Sequence, residues 1–100
     1  MAATGKVWLC GPFRDRAPFE AAELSLRQAG IVPCYGPHDL PATADPDAAA
    51  RARIARMMDC ESVCLLDGWS SDAVADFEHT VAKRVGMRCV PLVILLSAGG

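Results

Sequence analysis

Leu65-Leu66-Asp67-Gly68-Trp69-Ser70-Ser71-Asp72-Ala73-Val74-Ala75-Asp76-Phe77-Glu78 holds an apolar run, a polar turn and a helical repeat in fourteen consecutive residues. It reads as the end of a buried strand, a tight turn, and the first two turns of a helix. Stepping about 100° per residue from Val74, the apolar residues Ala75, Phe77, Val81, Ala82 and Val85 fill one arc. Asp72, Asp76, His79, Thr80, Lys83 and Arg84 fill the other. Glu78 falls at about 40°, inside the apolar arc and not at its border. A carboxylate there faces the body of the protein, where an isolated charge is costly. It is therefore either a structural group satisfied by an arginine or a group held for chemistry.

Outward from that stretch, the punctuation is regular. Ser62-Val63-Cys64-Leu65-Leu66 is a strand leading into the turn, and Gly86 ends the helix that carries Glu78. Downstream, Arg88 to Leu96 is expected as a further strand, with Pro91 marking an edge or a bulge. Upstream, Asp45-Pro46 starts a helix with Asp as cap and Pro in the first position. That helix is expected to reach about Asp59, burying Ala50, Ile54, Met57 and Met58, with Arg51, Arg53 and Arg56 on its wet face. Lys6 to Cys10 is a short apolar run stopping at Gly11-Pro12, and a helix follows over 17–29 with Phe19, Ala22, Leu26 and Ala29 inward. Ile31 to Tyr35 is an edge strand, because Pro33 cannot donate to a sheet ladder. His38 sits in the loop after it, as a solvated side chain or a catalytic one.

Strand and helix alternate throughout, the pattern of an α/β sheet with right-handed crossovers. With both prolines at edges, the expected sheet is parallel and four-stranded in the order 2-1-3-4, with helices on both faces. The chain direction then reverses between strands 1 and 3, and a ligand belongs beyond their C-terminal ends. Those ends carry Gly11-Pro12-Phe13-Arg14 and Asp67-Gly68-Trp69-Ser70-Ser71.

One hundred residues, 52% of them apolar, make a single domain over 1–100. Ten basic against 12 acidic residues leave a net charge of −2, which gives no electrostatic case for nucleic acid or an anionic membrane as partner. The five cysteines show no metal-ligand spacing and lie in or beside apolar runs. Free thiols in a cytoplasmic protein are expected, without a metal or cofactor. No signal-peptide pattern opens the sequence, and the longest apolar run is too short to cross a bilayer.

Several segments together resemble the nucleoside 2-deoxyribosyltransferase-like domains, above all their short bacterial and phage versions of uncharacterised role. They are Val7-Trp8-Leu9-Cys10-Gly11-Pro12, the Ala-rich first helix ending in Gly30, Asp59-Cys60-Glu61-Ser62-Val63, Leu65-Leu66-Asp67-Gly68-Trp69, and Glu78 with Ala82 and Gly86. The resemblance covers nearly the whole chain in the same order. It implies a flavodoxin-like three-layer sandwich, a homodimer or homotetramer, and cleavage of an N-glycosidic bond in a nucleoside or nucleotide. Glu78 takes the place of the family's nucleophile. Gly11, Phe13 and Arg14 match the loop that lies along the sugar or near a 5′-phosphate. Trp69 is expected to wall the base or sugar, or to pack over the sheet edge. Asp67 accepts from a sugar hydroxyl, or caps its turn. The sequence departs from the family at Asp72 and Val74, where a Ser and a Gly are common, and at Arg53, where an Asp takes part in protonating the base. Ser71 lies just upstream of the altered pair and is the substitute candidate. A non-catalytic nucleotide-binding or interaction module on the same fold is the alternative.

Overall fold

The computed structural model describes residues 6–12, 16–31, 34–36, 38, 40 and 44–99. Its first strand, β1 (Val7–Cys10), is buried along its whole length, as a central strand covered on both faces must be. Helix α1 spans Ala17–Gln28, β2 is the two-residue segment Cys34–Tyr35, and α2 spans Pro46–Met58. Strand β3 (Ser62–Leu65) leads into a 3₁₀ turn at Trp69–Ser71 and then α3 (Ala73–Arg84). Strand β4 (Arg88–Pro91) is followed directly by α4 (Leu92–Gly99).

Strands β1, β3 and β4 pair in parallel over four residues each, with Cys10 beside Leu65 and Leu65 beside Pro91. Strand β2 adds a short parallel pairing of Cys34 and Tyr35 with Val7 and Trp8. Hydrogen-bonded neighbours run β2-β1-β3-β4. Because successive strand residues point to opposite faces, the sheet separates two apolar clusters. Val7, Leu9, Cys64, Leu66 and Val90 pack with Phe19, Ala22 and Leu26 of α1 and Leu95 of α4. Trp8, Cys10, Val63 and Leu65 pack with Met57 of α2 and with Ala75 and Ala82 of α3.

Three sequence expectations are corrected. The strand expected to run from Arg88 to Leu96 ends at Pro91, and Leu92 begins a helix. Leu92, Leu95 and Leu96 have the spacing of one helical face and join the first cluster; a short apolar run cannot be assigned to strand or helix by periodicity alone. The apolar arc of α3 is rotated: Phe77 and Val85 are 53% and 55% exposed, and the buried stripe is Ala75, Glu78 and Ala82. On α2, Met58 is 40% exposed and Met57 takes the core position. Of the second expected strand, Cys34–Tyr35 is the paired part; Val32 and Pro33 lie outside the described residues.

Candidate active site

Glu78 is 3% exposed and is the buried charged side chain among the described residues. Its neighbours on the inward face of α3, Ala75 and Ala82, are fully buried. Their small side chains let the helix lie close over β1, whose alternation turns Trp8 and Cys10 toward it. The two carboxylate oxygens have separate partners. Trp8 Nε1–H donates to Oε1 at 3.1 Å, and Arg53 Nε–H donates to Oε2 at 2.9 Å. The ion pair is largely out of solvent, with side-chain exposures of 13% for Arg53 and 4% for Glu78.

Burial pushes the Glu78 pKa above the ordinary carboxylate value, and that effect exceeds the opposing hydrogen bonds and charge of Trp8 and Arg53. The negative charge of Asp72 adds a smaller upward push. Asp72 itself caps α3, its carboxylate accepting from Ala75 N–H at 2.9 Å. Below Glu78, the Cys10 thiol donates to the Ala75 carbonyl at 3.2 Å. Burial, the largest cause, and the nearby Glu78 charge push its pKa far up, so it stays a neutral thiol. Cys10 and Cys89 carry thiols outside any disulfide.

The turns beyond β1 and β3 are packed together by their glycines. Gly68 has φ +86°, a backbone region that other residues enter at a steric cost, and a Cβ there would lie 3.2 Å from Pro12. At Gly11 a Cβ would meet the Leu66 Cβ at 2.9 Å, so the two strand ends approach as closely as they do because no side chain intervenes. Leu66 N–H donates across this junction to the Cys10 carbonyl at 2.8 Å.

The other expected site residues are distributed as follows. Asp67 is exposed and lines a cavity of about 480 Å³ with Pro18, Leu65, Leu66, Pro91 and Leu92; Glu78 does not line it. Trp69 is half-buried and its ring lies 4.2 Å from that of His79, so it packs along α3. Ser71 is exposed in the 3₁₀ turn. Gly11 is buried at the strand end. Phe13 and Arg14 lie outside the described residues. His38 is half-buried, edge-on to Phe19 at 4.9 Å, and lines a separate cavity of about 120 Å³ with Leu9, Arg16 and Glu20. Among the described residues no group of three His, Cys, Asp or Glu side chains is placed to hold a metal ion.

Two residues of the Glu78 cluster escaped the sequence reading. Arg53 was expected on the wet face of α2, but it lies one turn before buried Met57 and so shares its face. Arg56 is also drawn in, its guanidinium 5.0 Å over the Tyr35 ring. Trp8 was expected only as core. A buried indole N–H ordinarily needs an acceptor, and that requirement was the available signal.

Residues 5–91 match the family model described as a domain of unknown function, DUF4406, and the chain belongs to that family. No curated protein and no solved structure matches it.

Proposed function

From the sequence resemblance and the geometry around Glu78, we propose that the chain is a nucleoside 2-deoxyribosyltransferase-like protein of flavodoxin-like, three-layer architecture. It cleaves the N-glycosidic bond of a nucleoside or its 5′-monophosphate, with Glu78 as nucleophile. One observation carries the reading. A carboxylate buried at an electrostatic cost, on the helix after β3, has each oxygen fixed by an N–H from a different element. Each oxygen retains acceptor capacity beyond its one hydrogen bond.

In this reaction an oxygen of ionised Glu78 attacks the anomeric carbon, and a C–O bond forms as the C–N bond breaks. The electron pair leaves on the base nitrogen, which takes a proton from water. Water or a second base, giving up a proton to the hydroxide so formed, then attacks the anomeric carbon from the opposite face. The C–O electron pair returns to Glu78, and configuration is retained over the two displacements. Gly11, Phe13, Arg14, Asp67, Trp69 and Ser71 are the proposed substrate-binding set, and the active unit is a homodimer or homotetramer.

Incubation with a panel of nucleosides and 5′-monophosphates, followed by chromatography of free base, tests the reading. Release by the wild type should fall by at least about 10³-fold in Glu78→Gln, which keeps the shape but removes the nucleophilic charge. Equal release by both proteins, or none by the wild type across the panel, would count against it.

The Arg53–Glu78 pair favours a second reading. A buried ion pair at 2.9 Å is also a structural device, and Glu78 then serves as scaffold in a non-catalytic nucleotide-binding or interaction module. Nucleotide binding without base release is the result that selects this reading.

A further inference from the structure

We propose that Arg53 and Trp8 are positioning residues which hold the Glu78 carboxylate ionised and in one orientation, so that α2 controls the readiness of a nucleophile carried by α3. The inference rests on the reading of Glu78 as nucleophile.

The geometry supports division of the task between the two donors. Trp8 is fully buried and presents one N–H from a rigid ring, so its hydrogen bond to Oε1 fixes the carboxylate plane. It brings no charge. Arg53 reaches Oε2 from α2 and brings a cationic guanidinium. Among the described residues it is the cation in hydrogen-bond contact with Glu78.

The other groups facing the carboxylate either oppose ionisation or are neutral to it. Asp72, at the start of α3, contributes a like charge. The Cys10 thiol on β1 stays protonated. His79, on α3 itself, turns to Trp69. Burial favours the protonated form, and the Trp8 hydrogen bond together with the charge and hydrogen bond of Arg53 opposes it, Arg53 alone doing so with a positive charge.

The test uses a signal independent of turnover. The carboxyl carbon of isotopically labelled Glu78 and the indole N–H of Trp8 are followed by NMR against pH in the full chain, with Trp69→Phe used only to assign the two indoles. Both signals are expected to titrate together in the wild type. In Arg53→Gln the shared midpoint should rise by about one unit or more, and the acid limb of base release should move with it. Arg53→Lys, which retains charge without the Nε–H, should show a smaller rise and serves if Arg53→Gln fails to fold. A midpoint unchanged from wild type in whichever variant folds overturns the proposal. A midpoint that rises in a protein releasing no base supports the clamp and overturns the nucleophile reading beneath it.

Discussion

At Glu78, burial favours the proton and Arg53 with Trp8 favours its loss, and burial has the larger effect. A carboxyl whose folded pKa lies above its unfolded value binds its proton more tightly in the native state. Its contribution to stability is then complete below the unfolded value and is lost as pH rises through the folded one. Melting of wild type and Glu78→Gln should therefore diverge as pH rises above the ordinary carboxylate range, with the Gln variant gaining relative to wild type. A wild type that gains instead would mean that the ion pair outweighs burial. Glu78→Ala is a poorer probe of chemistry, because it removes the acceptor used by Trp8 and Arg53 and should cost about 3–5 kcal/mol. The inward placement of Glu78 was legible from helical spacing alone. Its partners were not, because an Arg on a mostly polar helix and a Trp in an apolar strand each had an adequate reading without the other. The contact joins residues 70 apart in sequence, beyond the reach of any local pattern.

At the scale of elements, the start of α2 was the most readable feature. Asp45 caps α2 through Asp47 N–H at 3.0 Å, and Asp72 caps α3. Asp72→Ala should lower stability by about 1 kcal/mol, measured by urea denaturation, while slightly easing ionisation of Glu78 by removing a like charge. No loss of stability would show that the cap hydrogen bond is not maintained in solution. The end of β4 was not readable. Val90 and Leu95 are both buried while Val93 and Ile94 are 67% and 53% exposed, a contrast set by where the sheet ends and not by hydropathy. The rotation of α3 has a similar origin. Ala75 and Ala82 win the inward face over Phe77 because close approach to β1 excludes a large ring there, and summed hydrophobicity does not register that limit.

For the whole molecule, the parallel strand alternation was legible and the assembly was not. No helix among the described residues is long and apolar enough to cross a membrane, yet Leu24, Phe77, Val93 and Ile94 are more than half exposed. Exposed apolar side chains on this scale, together with sheet edges at β2 and β4, fit a protein that buries more surface by self-association. Light scattering at micromolar concentration should return at least twice the 10.6 kDa chain mass; a value near the single-chain mass would remove the oligomer from the proposal.

The parallel pairing of β1 with β3 has a consequence in time. Strand β1 meets β3, its longer partner, only after α1, β2 and α2 have been traversed, with Val7 beside Ser62. Cys10 bonds to a carbonyl 65 residues later. On a ribosome, the first strand emerges long before the residues that will enclose it. Loop closure on this scale slows folding, and α3 with β4 has no comparable wait for its contacts. Quenching of Trp8 emission by its final surroundings should thus belong to the slowest refolding phase in stopped-flow fluorescence of the Trp69→Phe protein, after the helical signal has largely developed. An indole that reaches its native emission in the earliest phase would instead place β1 in the folding nucleus.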